Sequence, residues 1–187
     1  MSGDENNDFY KNLLIGRIGE QILESIFAEA GAPLARFGIE ANFPTLQYGL
    51  QRKMTGCEEK GTNLFLRRMP DYAFDSKGAP LLIEVKTSAS RQYKTLSVED
   101  YKAYEAWGSL IFIIYLGEDA PGIYVVRDWG KNHGGGYYAA AQSEKYGQSQ
   151  SVAIYEDDRF KDLITKDLVD RHIGYFWEIV TTLNNDS

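Results

Sequence analysis

The chain has one cysteine, Cys57, and two histidines, His133 and His172, among its 187 residues. A lone thiol excludes an internal disulfide and offers no thiolate cluster for zinc. Two histidines give a histidine-rich metal site or a Ser-His-Asp triad little to draw on. Long apolar runs are missing too. The longest, Leu110 to Leu116, falls far short of the roughly 20 residues a membrane-crossing helix requires. Met1 to Asp8 is polar and acidic, unlike a secretory signal, so the expectation is a cytoplasmic protein with no membrane partner. Gly134-Gly135-Gly136 lacks the Gly-Lys-Ser/Thr ending of a phosphate-binding loop and reads as a loop tip, with His133 a loop histidine beside it. No small-molecule cofactor is expected.

What is present suits one globular domain. Hydrophobic residues make up 43% and charged residues 25% of the chain, enough apolar material for a core without staples. The expected organisation is a single domain over 1–187, with a core at 9–127 and a C-terminal extension at 128–187. The net charge of −7 argues at first against a nucleic-acid partner, whose phosphates call for cations. Its distribution argues otherwise. Residues 50–102 hold ten Lys and Arg against seven Asp and Glu, whereas the remainder holds ten against twenty. The cationic excess surrounds the segment to which the chemistry is assigned below.

Phe9 to Ala30 predicts a long helix, with Leu13, Leu14, Ile18, Ile22, Ile26 and Phe27 at helical spacing. Gly31 and Pro33 end it. Leu34 to Phe43 predicts a strand, 44–63 a long loop, and 64–74, Asp75 to Gly78 and 81–87 a strand, turn and strand. Ser97 begins the next helix as its N-cap, with Asp100 at capping-box spacing, and Gly108 ends it. Ser109 to Leu116, rich in isoleucine, predicts a strand buried on both faces, and Ile123 to Arg127 another. Lys131 to Gln150 reads as a surface excursion, and Val152 to Tyr155 as a short edge strand. Helices are expected at 158–164 and 167–183, with the acids from Glu156 to Asp170 on a solvated face. A mixed sheet flanked by helices is the natural packing for this order.

Pro70-Asp71 precedes the first strand of the hairpin, and Glu84-Val85-Lys86 lies inside the second. Side chains two apart on a strand share a face, about 6.6 Å from each other. Glu84 and Lys86 therefore point one way, and Ile83 and Val85 the other. The turn folds Asp71 back towards Glu84, so two carboxylates and a lysine converge. That set suits phosphodiester hydrolysis: carboxylates hold Mg²⁺, the ion activates water and offsets phosphate charge, and lysine assists the attack. On an edge strand the same pair would be only a solvated ion pair.

With Asp71, Glu84 and Lys86 in this arrangement, the sequence resembles the PD-(D/E)XK nuclease superfamily, which includes restriction endonucleases and Holliday-junction resolvases. A second match is Gly16-Arg17-Ile18-Gly19-Glu20 on the first helix. The resemblance implies an α/β, restriction-endonuclease-like core in helix–strand–strand–strand–helix–strand order, with C-terminal strands and helices appended. It implies that Asp71 and Glu84 bind the metal, that Glu20 adds a further acid, and that Lys86 assists catalysis. The implied cofactor is Mg²⁺, with Mn²⁺ able to substitute. The partner would be DNA, cut as an endonuclease by a homodimer. Alternatives are a structure-specific or exonucleolytic repair enzyme of the same fold, or a nuclease-like module that binds nucleic acid or protein without cutting. Ser88, Arg91, Gln92, Tyr93 and Lys94 follow the motif as candidate phosphate contacts, and Tyr48, Tyr101 and Tyr104 as candidates for stacking on unpaired bases.

Overall fold

Ile15, Ile18, Ile22, Leu23, Ile26 and Phe27 recur at helical spacing, and all six are buried in the computed structural model of the chain. The structure describes residues 3–38, 68–76, 78–89, 93–117, 121–131, 136–140 and 151–185. The apolar stripe belongs to α1 (Gly3–Glu29), which begins six residues before its expected start. Leu13 and Leu14, expected within the stripe, are exposed instead. Gly31 at φ 77° ends the helix, and the following amide of Ala32 returns to the Phe27 carbonyl.

The sheet under this helix has six strands: β1 (Ala35–Arg36), β2 (Tyr72–Ser76), β3 (Ala79–Ser88), β5 (Leu110–Tyr115), β6 (Gly122–Val126) and β9 (Ser151–Ala153). They lie in the order β1-β2-β3-β5-β6-β9. Among the described residues only β3 and β5 pair in parallel, and the helix between them, α2 (Val98–Trp107), makes the crossover such a pair requires. The sheet is thus mixed and flanked by helices, as expected. Its face carrying Ile83, Val85, Phe112, Ile114, Ile123 and Val125 buries α1 and α3 (Lys166–Asn185). Glu29 of α1 meets Arg171 and His172 of α3, each at 2.8 Å.

On the other face Ile111, Ile113, Tyr115, Tyr124 and Val126 meet α2 and a second sheet. That sheet consists of β4 (Tyr93–Leu96), β8 (Tyr137–Ala140) and β7 (Gly130–Lys131), in that order. Within the stretch read as a surface excursion, 131–150, it corrects that reading for Tyr137–Ala140, where Ala139 is wholly buried, while 132–135 and 141–150 lie outside the described residues. Alternation within these short polar strands is too weak to reveal them, because their apolar partners come from α2 and β5. Two other expectations change. Of the expected strand at 34–43 only Ala35–Arg36 is strand among the described residues, and residues 158–163 form turns rather than an α-helix. The region 44–63 lies outside the described residues. So does 64–67, and β2 starts only at Tyr72, so the expected strand at 64–74 begins late among the described residues.

The Gly-Glu pair on α1 has a steric cause. Gly19 is buried directly against Thr87 of β3, and a Cβ there would overlap the Thr87 hydroxyl and its Cβ. A threonine on a strand has little rotameric freedom with which to yield. Gly19→Ala should therefore lower the stability by about 1–3 kcal/mol despite the better helix propensity of alanine. Chemical denaturation measures it, and an unchanged midpoint would show that α1 does not need this close approach.

Candidate metal and nucleophile site

β2 and β3 form a hairpin in which Tyr72 pairs with Ile83 and Ser76 with Ala79. The expected turn has Gly78 at φ 86°, with its amide donating to Asp75 Oδ1 at 2.8 Å. At the other end the backbone ladder stops after Tyr72. There Asp71 Oδ2 accepts the Val85 amide at 2.8 Å, so a carboxylate replaces the next strand carbonyl. The Asp71 carbonyl accepts from Phe37 and Gly38, which fixes the backbone that carries it. Arg68, three residues before, forms an ion pair with Asp100 in the first turn of α2. The capping-box acid thus reaches across to Arg68, while Ser97 Oγ accepts the Asp100 amide at 3.0 Å.

Since β3 lies between β2 and β5, Glu84 is on an interior strand and only 5% exposed. This excludes a solvated ion pair on an edge strand. Glu84 and Lys86 share the face turned towards α2, where Lys86 Nζ and the Tyr104 hydroxyl both donate to Glu84 Oε1. The Tyr104 donation is 2.7 Å long, and its oxygen accepts from Lys86 Nζ at 3.0 Å. Each of the two acids is anchored through one oxygen, Oδ2 of Asp71 and Oε1 of Glu84. Their other oxygens have no hydrogen-bond partner among the described residues.

Burial, then the Glu84 charge beside it, pushes the Asp71 carboxyl up to about 8. Burial alone would push Lys86 down, but Glu84 outweighs it and holds the ammonium above its ordinary value. The Tyr104 phenol is raised by burial and by Glu84, so it keeps its proton. Glu20 contributes to the field at Asp71, yet its carboxylate pairs with Arg17 at 2.7 Å on its own helix. Among the described residues, no three acidic, histidine or cysteine side chains are grouped to hold a metal ion. The arrangement offers two carboxylates, with Glu20 nearby and engaged elsewhere.

The raised Asp71 carboxyl sets a pH dependence. The folded chain retains the proton up to about pH 8, whereas the unfolded chain releases it near the ordinary value of 3.8. Metal-free stability should therefore fall as pH rises through that window. Asp71→Asn removes the dependence, and its amide oxygen still accepts the Val85 amide. The variant should match the parent near pH 4 and exceed it by several kcal/mol, on the order of 5, near pH 8. Parallel denaturation curves across this range in EDTA provide the check. A constant difference between the two proteins would mean that Asp71 titrates normally.

Sequence reasoning missed Tyr104 as part of this site. It is 4% exposed, so it is no platform for stacked bases. Tyr101 is half-buried and stacks on Tyr137, with ring centroids 3.8 Å apart. Ser88 is buried, its carbonyl accepting the Leu116 amide, whereas Arg91, Gln92, Tyr48, His133 and Cys57 lie outside the described residues. The acids of 156–170 are not all solvated: Asp157 is buried and held by Arg159 through two bonds of 2.8 Å.

No protein-family model matches the chain, and no curated protein matches its sequence. Among solved structures, the chain is similar to Hjc of Archaeoglobus fulgidus, a Holliday junction resolvase from an archaeal hyperthermophile. The alignment has 14% identity and a TM-score of 0.41, covering 67% of this chain and 88% of that one. No helix among the described residues is long and apolar enough to cross a membrane.

Proposed function

We propose that the chain is a divalent-metal-dependent deoxyribonuclease of the PD-(D/E)XK type, working through Asp71, Glu84 and Lys86. One observation carries the reading: two neighbouring acids, each anchored through one oxygen and without a partner at the other among the described residues, lie beside a lysine ammonium. Hard oxygen donors of this kind suit Mg²⁺ or Mn²⁺, which bind through one or two carboxylates and complete their shell with water and phosphate oxygens. When bound, such an ion supplies an activated water and offsets charge on the phosphate.

The chain's own residues do the positioning. The Val85 amide fixes Asp71, and Tyr104 and Lys86 fix Glu84. Lys86, held as an ammonium, orients the attacking water and stabilises the charge that develops on phosphate oxygens. In the reaction the water oxygen bonds to phosphorus as the phosphorus bond to a sugar oxygen breaks. The water's proton passes to solvent, and the departing oxygen is protonated from solvent. Glu20 would be the further acid holding the ion, in place of its pairing with Arg17. DNA is the substrate, and a homodimer would bring two such sites to two strands.

The test is incubation of the protein with plasmid, single strands, four-way junctions and RNA, each with Mg²⁺, Mn²⁺ or EDTA. Metal-dependent cleavage of DNA is expected, and the preferred substrate separates an endonuclease from an exonuclease or a junction-specific enzyme. Equal cutting in EDTA would overturn the metal mechanism. Binding of DNA with no cleavage under any metal would make the chain a binding module.

A further inference from the structure

Ser97 caps α2 and Gly108 closes it at φ 65°, and between them the helix turns Ala103 and Tyr104 inward. Tyr104 thereby reaches β3 across the crossover. Its ring lies 5.1 Å from Lys86 Nζ, and its hydroxyl both donates to Glu84 Oε1 and accepts from Lys86 Nζ. A buried tyrosine needs some partner for its hydroxyl, and any carbonyl would serve. Here the partners are instead the proposed metal-binding acid and the proposed catalytic lysine. The contact also fixes which carboxylate oxygen is occupied: Oε1 takes both donors, and Oε2 has no partner among the described residues.

We propose that Tyr104 is a positioning residue, whose hydroxyl holds Oε1 of Glu84 so that Oε2 stays available to a metal ion, and whose oxygen gives Lys86 Nζ a second partner beside Glu84. The inference rests on the nuclease reading given above. It also goes beyond it, because a packing tyrosine would supply only its ring. Outer hydrogen bonds of this kind orient the groups that ligate a metal, and their loss weakens affinity and activity even when every ligand is retained.

Tyr104→Phe isolates the hydroxyl, since the ring, its packing and its contact with the Lys86 ammonium are kept. Three measurements are made on the full chain: melting temperature in EDTA, calorimetric titration with Mn²⁺ alone, and plasmid cleavage at saturating Mn²⁺ with DNA affinity in Ca²⁺ as control. The variant should melt within a few degrees of the parent and bind DNA equally well. Its Mn²⁺ dissociation constant should rise about tenfold, and turnover at saturating Mn²⁺ should fall about tenfold. If only the melting temperature moves, Tyr104 is a packing residue and the inference is overturned, with the nuclease reading intact. If the parent neither binds Mn²⁺ nor cuts DNA, the nuclease reading fails and the role of Tyr104 fails with it.

Discussion

Glu84→Gln is expected to reduce metal-dependent DNA cleavage by about 10³-fold or more, with the fold retained. Glutamine preserves the size of the side chain, and its carbonyl oxygen can still accept from Tyr104, so the local geometry at Oε1 survives. What disappears is the negative charge. A Mg²⁺ ion held by Asp71 and Glu84 would lose one of those two charges, and Glu20 could contribute only by giving up its pairing with Arg17. Calorimetry should accordingly show that Mg²⁺ affinity is largely lost. The change also leaves Lys86, 28% exposed, without its counter-charge, for which a stability loss of about 1–3 kcal/mol is expected. Asp71→Asn should abolish cleavage to a similar extent, but with the opposite effect on stability in EDTA at neutral pH, because it removes a reluctant acid rather than a needed one. That contrast separates a shared catalytic role from a shared structural one. Retention of more than about a tenth of the activity by either variant at saturating Mg²⁺ would exclude that acid from the metal site.

Lys86→Ala should lower turnover by about 10²-fold or more while DNA affinity in Ca²⁺ stays close to the parent's. Two roles for this lysine compete. As a structural cation it neutralises Glu84 when no metal is present, and its raised proton affinity reflects that role. As a catalytic group it aligns the water and stabilises charge at the phosphate. A neutralising cation becomes redundant once Mg²⁺ occupies the site, so saturating metal would restore both the fold and the rate. A transition-state contact cannot be replaced in that way, and the rate should stay low at any metal concentration. Alanine also leaves the Tyr104 hydroxyl and Glu84 bonded to each other, so the acid keeps one of its two anchors. Metal affinity should persist or rise, as the competing ammonium is gone. Cleavage within a few-fold of the parent at saturating Mg²⁺ would remove Lys86 from the mechanism.

Much of this was written in short-range chemistry. Ser97 and Gly108 delimited α2 because caps act within one turn. The hairpin followed from the Asp75–Gly78 turn. Strand alternation put Glu84 and Lys86 on one face and Ile83 and Val85 on the other, and the structure buries these faces separately. The mixed sheet flanked by helices followed from the order of elements. The Gly-Glu pair was visible as a motif on α1, but not the reason for its glycine, which is the approach of Thr87 from a strand 68 positions later.

Tertiary packing decided the rest. Which face of α2 meets Glu84 depends on how the crossover helix settles on the sheet, and nothing local to Tyr104 distinguishes it from the twelve other tyrosines. The three-stranded sheet was hidden because its short strands find their apolar partners in α2 and β5 rather than along their own sequence. Asp157 sits in an acidic stretch that looks solvated until the Arg159 fork buries it. By itself the sequence determined which groups this protein has for chemistry and which strand face carries them, because strand periodicity is a property of the backbone. Only the tertiary structure decided which oxygen of each acid is held, because that choice belongs to residues distant in sequence.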